Sequence, residues 1–260
     1  MSLRKKKSLG QHFLHDQNIL RKIVELIAPN SNDNLIEIGP GAGALTTKLL
    51  PLVDSLDAIE LDKDVIPDLE RNCHHDKKLH IHLADVLRVD FTQFKAPIRL
   101  VGNLPYNIST PLLFHLIKNI NLIKDMHFML QKEVAERIAA SPGSKIYGRL
   151  SVMMQYYCEV ELLLYIGSGA FSPAPKVASA FIRLIPRKNN LIIALDENKL
   201  SDIVRDAFNH RRKTIANGLK QYLTASQLEK NGINPGLRPE QLSVDEFVRI
   251  TNAAISQIIG

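Results

Sequence analysis

Short apolar runs alternate with amphipathic stretches along the first half of the chain. Each run has five or six residues and is bounded by turn residues, which is typical of buried strands. The predicted strands are NLIEIG (34–39), LDAIEL (56–61), LHIHLA (79–84), IRLVG (98–102) and MHFMLQ (126–131). The helical stretches between them are GALTTKLLPL, DVIPDLERN and TPLLFHLIKN. This rhythm predicts a mainly parallel sheet with helices on both faces, an α/β fold.

The pattern changes in the last hundred or so residues. Two apolar stretches, EVELLLYIG (159–167) and VASAFIRLIP (177–186), follow each other closely and predict a β-hairpin at one edge of the sheet. After them only helical spacing recurs, in ENKLSDIVRDAFNH, RKTIANGLKQYL and SVDEFVRITNAAISQII. We therefore predict an α/β domain over residues 1–187, with a basic N-terminal arm, and a small all-helical domain over residues 188–260.

Composition narrows the class of protein. The 260 residues are 45% hydrophobic and 23% charged, as in ordinary soluble globular proteins. No apolar run approaches the roughly 18 residues of a membrane span, and the basic start lacks the apolar core of a secretory signal. Cys73 and Cys158 have neither disulfide-framework nor zinc-ligand spacing. We expect a cytoplasmic protein without a membrane segment or a bound metal.

The formal charge of +6 favours polyanionic partners, because Lys and Arg raise the local concentration of polyanions. Two basic runs carry much of the excess: Arg4, Lys5, Lys6 and Lys7 near the start, and Arg211, Arg212 and Lys213 late in the chain. Charge alone leaves two interpretations open, a polyanion-binding site and a solvated basic face.

Glycine and acidic residues mark the carboxyl ends of three predicted strands, where open parallel sheets bind their ligands. The first strand ends in EIGPGAG, with Gly39, Gly41 and Gly43 allowing a tight turn and close approach to a ligand. Glu60 ends the second strand and suits a ribose, while Asp85 ends the third, where an adenine would lie. The three ends predict a pocket for an adenosine-containing ligand. The glycines alone also fit a plain turn, and a dinucleotide remains an alternative.

The fourth strand ends in NLPY (103–106). The side-chain oxygen of Asn103 and the backbone carbonyl of Leu104 are two acceptors for a planar amine with two hydrogens. Pro105 stiffens the turn, and the Tyr106 ring suits a stacked base. The tetrapeptide therefore predicts a clamp for the exocyclic amine of adenine or cytosine. The alternative is a capping Asn beside a packed Tyr.

Taken together, six segments resemble the ribosomal RNA adenine N6-dimethyltransferase family, which uses S-adenosylmethionine. They are SLGQHFL, EIGPGAG, IELD, GNLPYNIST, AFSPAPKVASAFIRL and DAFNHRRKTIANGL. They occur in the family's order and span nearly the full length. The resemblance implies a Rossmann-like class I methyltransferase domain followed by the helical domain. The last segment resembles the small-subunit branch, which implies dimethylation of two adjacent adenosines near the 3′ end of 16S rRNA, coupled to small-subunit biogenesis.

The resemblance also assigns roles to matched positions. The implied cofactor-binding residues are His12, Leu14, Gly39, Gly41, Glu60, Asp85 and Asn103. The implied catalytic residues, which hold and stack the target base, are Asn103, Leu104, Tyr106 and Phe171. Arg211, Arg212 and Lys213 are the implied RNA contacts. His12 departs from the family, which usually has Asn at this position.

Three other functions remain open from the sequence. They are a DNA adenine or cytosine methyltransferase, a large-subunit rRNA dimethyltransferase, and a non-catalytic RNA-binding or ribosome-assembly factor. The C-terminal segment favours the small-subunit enzyme over the first two, and the complete glycine loop and NLPY clamp disfavour the third. The expected partners are the small ribosomal subunit and its 16S rRNA, bound by a monomer.

Overall fold

A computed structural model describes residues 12–188 and 192–259 of the chain, so the basic run at residues 4–7 lies outside the described part. The chain divides into two compact units that alternate in sequence. The first comprises Met1–Ala135 and Glu159–Pro186, and the second comprises Glu136–Cys158 and Arg187–Gly260. The later division lies beside the predicted boundary at residue 188. The grouping of residues 136–158 with the C-terminal part was not anticipated from the sequence.

The first unit is built on a sheet of seven strands, in the order β4-β3-β2-β5-β6-β9-β7. Two further short strands, β1 and β8, pair with each other outside it. The strands are β1 Phe13–Leu14, β2 Asn34–Ile38, β3 Leu56–Glu60, β4 Leu79–Leu83, β5 Ile98–Asn103, β6 Ile123–Gln131, β7 Cys158–Ile166, β8 Phe171–Ser172 and β9 Ser179–Pro186.

The strand directions agree with the apolar pattern. Strands β2 to β6 are mutually parallel, and β9 runs antiparallel to β6. The two stretches predicted as a hairpin are neighbours, with β7 at the sheet edge. Parallel pairing places the carboxyl ends of β2, β3, β4 and β5 at the same end of the sheet. The glycine loop, the acidic strand ends and NLPY therefore lie close together.

In the described part of the chain, ten α-helices accompany the strands. They are α1 Gln17–Ile27, α2 Thr46–Leu49, α3 Ile66–Asn72, α4 Ser109–Ile117, α5 Lys132–Ile138, α6 Arg149–Tyr157, α7 Glu197–Asn209, α8 Ile215–Gly218, α9 Ala225–Lys230 and α10 Val244–Ile259. In the second unit, α6, α7 and α10 pack on one another, which explains why residues 136–158 group with the C-terminal helices. No helix among the described residues is both long and apolar enough to cross a membrane.

One predicted helical stretch is largely irregular. RKTIANGLKQYL (212–223) forms only the four-residue helix α8 followed by turns. Gly218 ends α8, and glycine is a poor helix former. Tyr222 is also held by the preceding helix, because its hydroxyl donates to Asp206 Oδ2 at 2.6 Å and the Lys199 ammonium lies 4.8 Å from its ring centroid. These tertiary contacts outweigh the helical periodicity of the sequence.

Helix α1 is anchored at both ends. Asp16 caps its start by accepting the backbone N–H groups of Asn18 and Ile19. The buried Arg99 guanidinium donates to the last carbonyl oxygens, Ile27 O at 2.6 Å and Ala28 O at 3.2 Å. The same guanidinium pairs with two carboxylates, those of Asp33 and Asp125. This network fixes the helix against the first strands of the sheet.

Strands β1 and β8 form a two-residue antiparallel ribbon that was not predicted. Phe13 lies opposite Ser172, and Leu14 lies opposite Phe171. The His15 amide extends the ribbon by donating to Ala170 O at 3.0 Å. The start of the described chain is thereby tied to the loop that joins β7 to β9.

Candidate active site

A cavity of about 230 Å³ opens at the carboxyl ends of the parallel strands in the first unit. Its walls contain every residue assigned to the cofactor and to the amine clamp from the sequence, with Phe171 as the exception. The assigned residues that line it are His12, Leu14, Gly39, Gly41, Glu60, Asp85, Asn103, Leu104 and Tyr106. The structure therefore brings together residues that are up to 94 positions apart (106 − 12) in the sequence.

Glu60 organises the glycine loop. The residue is 94% buried, and its carboxylate accepts three backbone N–H groups, from Gly41 on Oε2 at 3.0 Å and from Leu61 and Asp62 on Oε1 at 2.9 Å each. Each carboxylate oxygen has more than one acceptor site, so ligand hydroxyls can share it. Glu60 thus shapes the loop and also offers a fixed negative charge to the cavity.

The glycines of EIGPGAG are required by backbone conformation. Gly39 has φ +67° and Gly41 has φ +56°, in the left-handed region that favours glycine. At Gly41 a Cβ atom would also lie 2.9 Å from the Phe13 ring, which is too close. The loop therefore approaches both the ligand space and strand β1 closely, and the absence of side chains keeps the cavity open.

Asp85 stands at the third strand end, as predicted. Its Oδ1 accepts the Leu87 N–H at 3.0 Å, and its Oδ2 lies 3.8 Å from Arg88 Nε. The side chain is 37% exposed, so the carboxylate keeps acceptor capacity on the cavity side. A carboxylate held in this way suits an N–H donor such as the amine of adenine.

The orientation of the Asn103 amide is fixed by a contact that the sequence did not reveal. Asn103 Nδ2 donates to the backbone carbonyl of His12 at 2.8 Å. Because this nitrogen donates to His12, which precedes β1, the side-chain oxygen of Asn103 is left to accept a hydrogen bond from a ligand. The next residue, Leu104, is fixed by its own amide, which donates to Met129 O at 3.1 Å. Both predicted acceptors of the clamp are thus held by the adjoining backbone.

Tyr106 and His12 form an aromatic wall. Their ring centroids are 5.6 Å apart with an interplanar angle of 31°. The Tyr106 hydroxyl and Ser179 Oγ are hydrogen-bonded at 3.1 Å, and His12 Nδ1 lies 2.8 Å from Pro173 O. His12 therefore reaches the site through its backbone carbonyl and its ring. Both of these features are available although the family's usual Asn is missing.

Glu37 lines the cavity and was missed from the sequence. It is 98% buried in β2, and its Oε2 has no hydrogen-bond partner among the described residues. Burial, with a smaller contribution from the nearby Glu60 charge, raises the pKa of this carboxyl to about 7. An acidic residue inside an apolar strand run was the signal that could have identified it, because buried carboxylates are rare without a partner.

Phe171 lies apart from the cavity. It is 97% buried in the hydrophobic core, pairs with Leu14 in the β1–β8 ribbon and is not among the residues that line the cavity. Its burial and its pairing make Phe171 an anchor of the loop that joins β7 to β9. Phe181 of β9 also lines the cavity, and its place in a regular apolar strand gave no functional signal.

The basic cluster of the second unit separates into two kinds of residue. Arg211 is half-buried, donates from Nη2 to Lys145 O at 2.6 Å and lies 3.7 Å from Glu240 Oε2. Arg212 and Lys213 are exposed at the turn after α7. Arg211 thus stabilises its own unit, while the other two present their charge to solvent.

The cavity fits S-adenosylmethionine in its donor and acceptor chemistry. Glu60 and Asp85 are the acceptors for ribose hydroxyls and for an adenine amine, and the glycine loop leaves space for a close ligand. The unpartnered buried oxygen of Glu37 suits an N–H donor or a positive charge. Glu60, Asp85 and Glu37 therefore suit, in that order, the ribose, the adenine amine and a positively charged or N–H-donating group of this cofactor. No cluster of His, Cys, Asp and Glu in the described ranges could hold a metal ion.

Comparison with known proteins decides the family. The pattern of the ribosomal RNA adenine dimethylases matches residues 2–256. The chain belongs to the ribosomal RNA adenine dimethylase family. It is 51% identical over 249 residues to the ribosomal RNA small subunit methyltransferase A of Coxiella burnetii (strain CbuG_Q212), covering 95% of this chain and 96% of the relative. It is 49% identical over 259 residues to the protein of the same name from Pseudomonas syringae pv. syringae (strain B728a), covering 98% and 97%.

Two solved structures have the same fold as this chain. A dimethyladenosine transferase from Plasmodium falciparum superposes with a TM-score of 0.79 at 28% identity, covering 92% of this chain and 96% of that one. The 23S rRNA methyltransferase ErmE superposes with a TM-score of 0.73 at 22% identity, covering 94% and 99%. The predicted Rossmann-like methyltransferase fold, the enzyme class and S-adenosylmethionine as cofactor are thus confirmed.

Proposed function

We propose that this dimethylase methylates N6 of two adjacent adenosines near the 3′ end of 16S rRNA during assembly of the small subunit. The observation that carries the proposal is the Asn103 amide, whose nitrogen is engaged by the His12 carbonyl and whose oxygen is left for an amine. The family and the small-subunit relatives support 16S rRNA as the substrate. On this proposal the enzyme works as a monomer in the cytoplasm.

The residues of the clamp act on the nitrogen of the target base. Asn103 Oδ1 and the Leu104 carbonyl accept the two amine hydrogens, which favours a pyramidal nitrogen and directs its lone pair toward the cofactor side of the cavity. Bound S-adenosylmethionine supplies an electrophilic methyl group. Placing the reacting atoms about 3–3.5 Å apart contributes much of the acceleration. The second methylation is harder to orient because only one hydrogen remains to donate.

Aromatic residues compensate for taking the base out of its stack. Removing a base from its stack costs a few kcal/mol. In our proposal Tyr106 stacks on the flipped adenine, since its ring lines the cavity and its hydroxyl is fixed by Ser179. Phe171 contributes indirectly, because its burial anchors β8 and hence the ribbon that carries His12 to the clamp. In the second unit, Arg212 and Lys213 contact RNA phosphates.

The test is methyl transfer by the unsubstituted protein and by Asn103→Ala. Radiolabelled cofactor is incubated with immature small subunits, naked 16S rRNA or 23S rRNA, and the modified bases are mapped. We expect dimethyladenosine in 16S rRNA only. Asn103→Ala should reduce the single-turnover rate by about 10²–10³-fold, by analogy with loss of one donor from an oxyanion hole.

Two controls make this experiment decisive. Asn119→Ala changes the same residue type at the end of α4, outside the cavity, and should keep the normal rate. Cofactor affinity of Asn103→Ala, measured by calorimetry, should stay within a few-fold of the unsubstituted value. Methylation of 23S rRNA, or a normal rate in Asn103→Ala, would contradict the proposal.

A further inference from the structure

Tyr165, at the end of β7, is an exposed aromatic residue outside the cavity. It is 55% exposed, and the Lys132 ammonium lies 5.4 Å from its ring centroid. Val177 beside β9 is 46% exposed, and Lys176 next to it is also exposed. Flat rings with adjoining cations are the combination that binds single-stranded nucleic acid, because bases stack on the ring and phosphates attract the cations.

A short series of contacts links Tyr165 to the amine clamp. Tyr106 of the clamp is hydrogen-bonded to Ser179 at 3.1 Å. Ser179 lies opposite Gln131 in the β6–β9 pair, and the amide of the next residue, Lys132, donates to Ala178 O at 2.9 Å. Lys132 then reaches the Tyr165 ring. Tyr165 is therefore adjacent to the strand that holds the clamp's own tyrosine.

Strand alternation places Tyr165 on the matching face of the sheet. Arg183 of β9 pairs with Glu161 of β7, which puts these two side chains on one face. Side chains alternate along strands with a period of two, so Ser179 of β9 and Tyr165 of β7 share that face. Because β9 and β7 are neighbours in the sheet, Tyr165 stands on the face of the edge strand that matches the Ser179 face of β9.

We propose that Tyr165, Lys132 and Lys176 form a platform for the nucleotide next to the target adenosine. The neighbouring base stacks on the Tyr165 ring, and its phosphate meets the two ammonium groups. Glu161, an acidic residue on the same face of β7, is paired with Arg183, which offsets its repulsion of a phosphate. The platform deepens the proposed function, because it holds the second adenosine while the first is in the cavity.

The test measures RNA affinity separately from methyl transfer. Binding of a fluorescein-labelled single-stranded oligoadenosine RNA is followed by anisotropy. Tyr165→Ala should weaken binding about tenfold, within the range that stacking of one base contributes. Tyr165→Phe should stay within about twofold, since stacking needs the ring. Lys132→Gln should reduce the dependence of log affinity on log salt by about one unit.

A matched control is Leu83→Ala, which removes another exposed side chain, 57% exposed, on β4 at the opposite edge of the sheet. It should leave RNA affinity unchanged. Cofactor affinity of Tyr165→Ala should also be normal, because Tyr165 does not line the cavity. This readout verifies that the variant is folded.

The outcomes separate the platform from the proposed function. If the unsubstituted protein binds the RNA but fails to methylate 16S rRNA, the proposed function is wrong, while the affinity comparison still decides the platform. Equal affinities of Tyr165→Ala and Leu83→Ala would overturn the platform, as would an equal loss in Tyr165→Phe. Absence of any RNA binding by the unsubstituted protein would overturn it too.

Discussion

Single residues at the strand ends carry most of the chemistry, and they are the part that the sequence revealed best. Glu60, Asp85 and Asn103 each end a parallel strand, so their convergence follows from topology. Glu37 and Phe171 could not be placed in the same way. One is an acid within an apolar run and the other an aromatic in a proline-rich loop, and neither pattern indicates which cavity a side chain faces.

Glu60 should be sensitive to loss of charge alone. In Glu60→Gln, the side-chain amide would place a donor against backbone N–H groups that now donate to the carboxylate. Since hydrogen bonds to charged groups contribute about 1.5–3 kcal/mol, we expect S-adenosylmethionine affinity to fall at least about tenfold. Calorimetry measures this change. Glu70→Gln, on an exposed position of α3, is the control, and equal affinities of the two variants would contradict the role of Glu60.

At the scale of elements, strand pairing sets how closely the clamp approaches the glycine loop. Gly102 of β5 lies opposite Ile38 of β2, and a Cβ atom at Gly102 would lie 2.4 Å from Ile38 O. Such a contact with backbone cannot be relieved by moving a side chain. A glycine inside a strand is visible in the sequence, but its reason is not, because that reason is the spacing between Gly102 and Ile38, which are 64 residues apart (102 − 38).

Gly102→Ala should therefore push β5 away from β2 and move the adjacent Asn103. We expect the free energy of unfolding to fall by about 1–3 kcal/mol, as for other overpacked sites. Methyl transfer should fall more than cofactor affinity, because the clamp is the nearest functional group. Gly169→Ala, where no heavy atom lies within 4 Å of the added carbon, should change neither measurement. A stable and fully active Gly102→Ala would show that the strands separate without cost.

The turn after α7 gives a second prediction at this scale. Arg212→Glu with Lys213→Glu should weaken subunit binding and lower the salt slope by about two, with normal stability, since both side chains are exposed. Arg211→Ala should instead lower the stability of the second unit by about 1 kcal/mol, because it loses the bond to Lys145 O. Filter binding and urea unfolding distinguish the two effects. A reversed pattern would assign the RNA contact to Arg211.

Across the whole molecule, two buried groups make stability depend on pH in opposite directions. Burial raises the pKa of Glu37 from 4.5 to about 7, so the native state holds a proton that the unfolded chain releases. The free energy of unfolding then falls as pH rises through this interval. Burial lowers the pKa of His127 from 6.5 to about 4, with Asp125 opposing the shift. The stability that neutral His127 contributes to the native state is lost as pH falls from 6.5 to about 4.

Single substitutions should reveal each dependence. Relative to the unsubstituted protein, Glu37→Gln should gain stability as pH rises from 4.5 to 7. His127→Leu should gain stability as pH falls from 6.5 to 4, since within the described ranges neither ring nitrogen of His127 has a hydrogen-bond partner to lose. Each difference should be on the order of 3 kcal/mol. Urea unfolding across this range, without cofactor, measures both. Curves that stay parallel to that of the unsubstituted protein would contradict the assignment.

The β1–β8 ribbon also orders events during protein synthesis. Phe13 leaves the ribosome early, but its partner Ser172 is made 159 residues later (172 − 13). At typical elongation rates this delay is on the order of 10–30 s. During that time the glycine loop, Glu60 and Asn103 are already synthesised, while the strand that holds the His12 carbonyl against Asn103 still lacks its partner. The nascent enzyme therefore completes its methyl-transfer pocket only after about two-thirds of its chain has emerged, and becomes competent to act on rRNA late in its own translation.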